Sequence, residues 1–225
     1  MTERILEGDC VEVMRGLPSE SVDCVVTDPP YGMAYRSNMR ASWARFDAIE
    51  NDDNFDFEWQ LAWMKECYRV LKDGSHFYAF CSDHHLGEFR DTARSARFNV
   101  KRTLVWCKGG GGIGDLDGDY AHETEFCVFA HKGRRPLTGG RISNVLQVPK
   151  VRPADLRHPT EKPVGVLRPL VQKSSAPGEV VLDPFGGSGS TAVACREEGR
   201  GFIVIEREPK YVEVTRDRLA QGGLF

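Results

Sequence analysis

Short apolar runs alternate with stretches whose apolar residues recur every three or four positions, along nearly the whole chain. The short runs predict strands near 3–7, 22–27, 76–81, 101–106, 125–130, 179–183 and 201–205. The periodic stretches predict helices. Residues 56–71 put Phe57, Leu61, Met64, Tyr68 and Leu71 on one helical face and stop at Asp73-Gly74. Residues 84–96 carry a weaker helical pattern, with His84-His85 as its start rather than a metal site. Further helices are predicted over 163–174, over 188–198 before Gly199, and from Pro209, a favourable first-turn residue, to about Gln221. Strands alternating with helices in this way predict an α/β fold with a largely parallel, seven-stranded twisted sheet covered by helices on both faces.

Two regions break the pattern. Residues 33–55 are polar, and residues 108–157 are rich in Gly, Pro and Arg. Long irregular loops inside a compact domain usually carry function. The reading is therefore one domain over 1–225 with recognition insertions at these two places.

Composition changes this picture little. The 225 residues are 40% hydrophobic and 28% charged, ordinary for a soluble domain. No apolar run is long enough to span a bilayer, and MTERILEGD lacks a signal-peptide core. A cytoplasmic location is expected. The seven cysteines are odd in number and form no C-x-x-C pair, which predicts buried free thiols and no metal site.

Charge matters more. The net charge of −3 argues against a uniformly basic protein, but the charge is segregated. Residues 47–58 hold six acids and no base, whereas 132–168 hold nine Lys/Arg against two acids. A local basic face is what a phosphate backbone requires, although a solvated surface segment would read the same way.

Two stretches carry chemistry. In VVLDPFGGSGSTAVACREEG (180–199) a strand ends at Asp183, a Gly-rich turn follows, and a helix of small residues begins. This is the context of a nucleotide-type loop, in which Gly187 and Gly189 admit a ligand close to the backbone and the helix N-terminus favours an anionic group. No Lys follows the glycines, so it is not a G-K-[ST] phosphate loop. The next strand ends in Glu206, 23 residues after Asp183, placed to accept ribose hydroxyls. The pattern itself does not separate a nicotinamide from another adenosine cofactor. In VVTDPPYG (25–32) a buried strand runs into an acid on a stiff turn; alone, it reads equally well as a strand-ending cap.

Together the two stretches resemble the S-adenosylmethionine-dependent methyltransferases that act on exocyclic amino groups of DNA bases. DPFGGSG is similar to their cofactor motif and Asp28-Pro29-Pro30-Tyr31 to their catalytic motif. The block LEGDCVEVMRGLPSESVDCVVTDPPYG (6–32) and the segment HPTEKPVGVLRPLV (158–171) resemble the family as well. The order, catalytic motif first, resembles the circularly permuted beta class, and Asp28 resembles the N6-adenine type rather than the N4-cytosine type, where Ser is common. The resemblance covers most of the chain and is weakest at 33–55 and 108–157. It implies a Rossmann-like methyltransferase fold, S-adenosylmethionine as cofactor, and double-stranded DNA as partner with the target base flipped out. A second copy of the chain and a cognate restriction endonuclease are further candidate partners.

It also implies roles. Asp28 and the Pro29 carbonyl would accept the two N–H groups of the target amine, Pro30 would stiffen the turn, and Tyr31 would stack on the base. Asp9 would bind the adenine of the cofactor, with a helix N-cap as the plain alternative; Phe185 would line the cofactor pocket, and Thr160 and Lys162 would hold the methionine carboxylate. Arg36, Arg40, Arg134, Arg135, Arg141, Lys150 and Arg152 are the candidate DNA contacts, with no division into base and phosphate contacts. The run Gly109–Gly112 departs from the family pattern. The sheet is expected to draw on both chain ends, the strands near 180 and 201 joining that near 3 and then that near 22, so that both motifs open at one carboxyl edge. Competing readings are an RNA or protein-amide methyltransferase, where Asn is commoner at position 28, and an inactive DNA-binding module.

Overall fold

The computed structural model describes residues 1–30, 55–110 and 117–221. Tyr31, Arg36 and Arg40 lie outside the described residues. Within them the strands are β1 (Glu3–Glu7), β2 (Val22–Thr27), β3 (Leu71–Cys81), β4 (Asn99–Cys107), β5 (Thr124–Lys132), β6 (Val145–Gln147), β7 (Val180–Asp183) and β8 (Gly201–Glu206). The helices are α1 (Cys10–Arg15), α2 (Phe57–Val70), α3 (Leu86–Ser95), α4 (Val164–Ser174), α5 (Ser190–Glu197) and α6 (Pro209–Gln221).

All eight strands form one sheet, ordered β1-β8-β7-β2-β3-β5-β4-β6. Pairing is parallel except at β5, which runs antiparallel to β3 and β4. The α/β, Rossmann-like fold holds, and two expectations change. The sheet has eight described strands rather than seven, because β6 arises inside the segment read as irregular. The chain ends do meet, but β1 is outermost, and the neighbour of β2 is β7.

Burial explains why the apolar runs are strands. β2 is buried at all six positions, as a central strand with helices on both faces must be. Its side chains alternate between two cores: Val25 joins the cluster under α1–α3, and Cys24 and Val26 join the cluster under α4–α6. Ile203 and Ile205 of β8 likewise oppose Phe202 and Val204. Trp63, Phe77 and Phe89 anchor the first cluster without exposure; truncating one such aromatic costs roughly 3–5 kcal/mol. All seven cysteines are free, and only Cys107 is not fully buried. Among the described residues no helix is long and apolar enough to cross a membrane.

Local chemistry sets the boundaries. Asp9 and Asp56 cap α1 and α2, accepting from Val11 N, Glu12 N and Trp59 N. α2 ends at Val70, earlier than its Asp-Gly signal, because Leu71 already pairs with Val22; the ladder then skips to His76 opposite Cys24. The residues between bulge out, and Lys72 reaches back to Asp23 at 2.6 Å. At this amino edge His76 is fully buried. Its Nε2 donates to the Arg135 carbonyl (2.9 Å), so its Nδ1 accepts from the Ser174 hydroxyl (2.7 Å), which in turn accepts from Tyr78 (2.8 Å). Burial lowers the His76 pKa to about 4, so the ring is neutral.

Candidate active site

The carboxyl ends of β2 and β7 lie side by side, with Cys24 opposite Val181 and Val25 opposite Leu182. The two sequence motifs follow these ends directly. They are also bonded: Thr27 Oγ1 donates to Asp183 Oδ1 at 2.7 Å. Between them opens a cleft whose wall includes Asp28, Thr160, Lys162, Phe185 and Gly187.

The turn after β2 is held from outside. Pro29 is buried. The Pro30 carbonyl accepts from Gln60 Nε2 at 2.8 Å, and Gln60 Oε1 accepts from Trp63 Nε1 at 2.7 Å. Gln60 is itself buried in α2, so the rigidity expected from two prolines is reinforced by a side chain the sequence did not single out. Its signal was a lone amide on the apolar face of a helix.

Asp28 does not stand alone. Lys162 Nζ donates to its Oδ2 at 2.5 Å and lies 2.9 Å from Glu125 Oε2. Lys162 is 6% exposed, and its ammonium also sits over the rings of Phe80 and Trp106. Glu125 meets Lys108 Nζ at 3.2 Å. Burial alone would raise the Glu125 pKa, but Lys162 and Lys108 overcome it and hold the group below the ordinary carboxylate range. Lys162, expected to hold the cofactor's carboxylate, lines the cleft with its ammonium between two protein carboxylates. Glu125 was not legible beforehand, because it reaches this edge only through the reversed direction of β5.

The glycine loop divides its expected roles. Asp183 is buried and lines the cleft, and it accepts from Thr27 Oγ1, Phe185 N and, on Oδ2, Thr191 Oγ1 at 2.6 Å. Burial pushes its pKa up to about 7 against these bonds. Through Thr27 it clamps the two motifs together. Gly189 has φ +78°, and a Cβ there would lie 2.5 Å from Thr215 Cγ2, so packing against α6 demands this glycine. Gly187 N donates to Glu206 Oε2 at 2.7 Å, and Glu208 N donates to Glu206 Oε1 at 2.8 Å. Backbone amides, those of Gly187 and Glu208 among them, thus orient the Glu206 carboxylate. Burial raises its pKa. Phe185 packs edge-on to Trp63 and tilted to Trp59 while lining the cleft. Asp9 takes the plain alternative in this structure, with Oδ1 accepting the α1 amides.

His158 lines the cleft against Tyr211, and Thr160 donates to its Nδ1 through N and Oγ1. Burial, then Lys162 and Lys210, lower its pKa to about 4, so the ring is neutral. Arg218 of α6 bridges Glu161 Oε1 (2.9 Å), the Ser188 carbonyl and Ser190 Oγ, joining the 158–162 segment to the start of α5.

The candidate DNA contacts separate by edge. β5 ends at the amino edge, so Arg134 and Arg135 lie opposite the cleft, and Arg135 pairs with Glu179 at 2.8 Å. Arg141 is exposed on the connection to β6. Lys150 N donates to the Lys108 carbonyl just beyond β4, which places Lys150 at the cleft's edge of the sheet, with exposed Arg152 close behind it in the chain. Arg152 pairs with Asp155 at 2.7 Å.

A family model described as DNA methylase matches residues 22–217. The chain is 36% identical to the putative methylase YubD of Escherichia coli (strain K12), over 96% of this chain and 90% of that protein. It is 29% identical to the type II methyltransferase M.HinfI of Haemophilus influenzae, over 96% and 68%. Among solved structures it is similar to the M1.HpyAVI–SAM complex (TM-score 0.75, 23% identity, 96% and 98% covered) and to the cytosine-N4-specific PvuII DNA methyltransferase (TM-score 0.78, 18%, 97% and 86%). The fold, the paired motifs and these matches agree: the chain belongs to the N6/N4 DNA methylase family.

Proposed function

We propose that this protein, a permuted beta-class member of its family, transfers a methyl group from S-adenosylmethionine to the N6 amino group of adenine flipped out of double-stranded DNA. The observation that carries the reading is the shared wall: Asp28 and the glycine loop face one cleft and are tied through Thr27 and Asp183. The cleft suits the cofactor. The Glu206 carboxylate, oriented by backbone amides, would accept ribose hydroxyls, Phe185 offers an aromatic face, and His158 is neutral. S-adenosylmethionine, when bound, supplies a methyl group activated by its sulfonium charge.

The chain's own part is positional. An exocyclic amine has its lone pair delocalised into the ring. Asp28 accepts one N–H and the Pro29 carbonyl the other, which favours a pyramidal nitrogen. Gln60 and the prolines keep both acceptors in place, and Tyr31 stacks on the base. Lys150 and Arg152 would contact the DNA from this edge, and Arg36 and Arg40, outside the described residues, are further candidate contacts. The permuted assignment rests on the chain order, catalytic strand β2 before cofactor strand β7, with the two adjacent in the sheet. The second reading is N4-cytosine methylation, favoured by the likeness to the PvuII enzyme; Asp at position 28 favours adenine. Incubation with labelled S-adenosylmethionine and DNA, followed by nucleoside analysis, is expected to give N6-methyladenine. N4-methylcytosine as the labelled product would replace the first reading with the second.

A further inference from the structure

At the carboxyl edge four charged side chains run in alternating sign: Asp28, Lys162, Glu125 and Lys108, with contacts of 2.5, 2.9 and 3.2 Å. They come from four distant parts of the chain: the turn after β2, the segment before α4, the start of β5 and the residue after β4. Burying charges is costly unless each is paired, so the row is stable only as a whole. Lys162 is the most buried of the four, at 6% side-chain exposure. Phe80 and Trp106 lie 5.3 and 5.8 Å from its ammonium and favour a cation at that spot. To reach another anion it would have to leave two carboxylates and two rings.

We propose that Lys162, anchored by Glu125, is a positioning residue that fixes the Asp28 carboxylate for the incoming amino group. A carboxylate on a short side chain can still rotate about its last bond, even when the backbone turn is rigid. Gln60 and the prolines hold the turn, and the Lys162 contact to Oδ2 holds the remaining torsion. Glu125 acts at one remove, keeping the ammonium beside Asp28. The inference rests on the amino-methylation reading of the site but holds for either base. It differs from a cofactor role for Lys162 in what it leaves untouched.

The test uses the full-length chain with Lys162→Met, Glu125→Gln and the double variant. Three quantities are read: the Kd for S-adenosylmethionine by titration, kcat at saturating cofactor, and KM for DNA. Lys162→Met is expected to lower kcat about 10–100-fold, as a misplaced reacting group does. The cofactor Kd and the KM for DNA should stay within about 3-fold, the mark of an interaction made in the transition state only. Glu125→Gln should lower kcat less, and the double variant should be no slower than Lys162→Met, because Glu125 works through Lys162. The double variant also removes both charges, so it tests the idea if Lys162→Met alone misfolds. A cofactor Kd raised about 10-fold or more with kcat preserved would overturn the proposal and make Lys162 a cofactor ligand. Additive losses in the double variant would overturn the part given to Glu125. The parent's labelled nucleoside tests the adenine reading separately, since this inference is read only from variant-to-parent ratios and from a titration that needs no turnover.

Discussion

The two edges of the sheet both bury titratable side chains, yet they use them differently. At the amino edge His76, Ser174 and Tyr78 bond to one another and to the Arg135 carbonyl, and Arg135 pairs with Glu179. This group closes on itself. At the carboxyl edge Asp28, Lys162 and Glu125 are also paired, but Asp28 and Lys162 front a cleft, and each comes from a motif or segment next to it. A buried, perturbed group therefore indicates a functional site only when it borders a space a ligand can enter. His76 and His158 make the point in one molecule: burial lowers both to about 4, but only His158 lines the cleft.

The contrast can be broken most sharply at Asp28. Asp28→Ala is expected to lower kcat by at least about 10²–10³-fold, the usual loss for a preorganised polar group in a transition state, while cofactor titration is unchanged. Turnover near the parent rate would remove the carboxyl edge from the chemistry. A smaller effect concerns stability and pH. His76 and His158, lowered from 6.5 to about 4, bind fewer protons folded than unfolded in that window, so they lose stability as pH falls through it. Asp183, raised to about 7, binds more protons folded than unfolded and opposes that loss. Asp183→Asn should therefore steepen the fall in unfolding free energy, read by denaturant titration between pH 6.5 and 4, by an amount on the order of 3 kcal/mol or less; an unchanged slope would mean that Asp183 titrates normally. The smallest effect is expected at the amino edge. Ser174→Ala leaves His76 Nδ1 and the Tyr78 hydroxyl without their shared partner. It should cost about 1–3 kcal/mol in denaturant unfolding and leave methylation per folded molecule as in the parent. A loss of kcat there would show that the two edges are coupled.

Much of the cleft was legible in the chain. DPPY and DPFGGSG each sit at the end of an apolar run, and a strand's carboxyl end is where α/β sheets bind ligands. Glu206 could be placed by its distance from Asp183. The exceptions share a cause. Thr215 against Gly189, and Thr27 and Thr191 on Asp183, are partners that no local pattern shows. A basic run has a sequence but no edge, so the place of Arg134 and Arg135 at the amino edge was not legible. β6 is three residues long, too short for its alternation to be counted.

Periodicity, a local property, was enough to determine an α/β sheet, and the two motifs were enough to resemble the family whose model matches residues 22–217. Only the tertiary structure decided that β5 runs backwards. That reversal brings Glu125 to the carboxyl edge of the sheet and carries Arg135 away from it. Strand direction depends on pairing between residues far apart in the chain, so no window of sequence contains it.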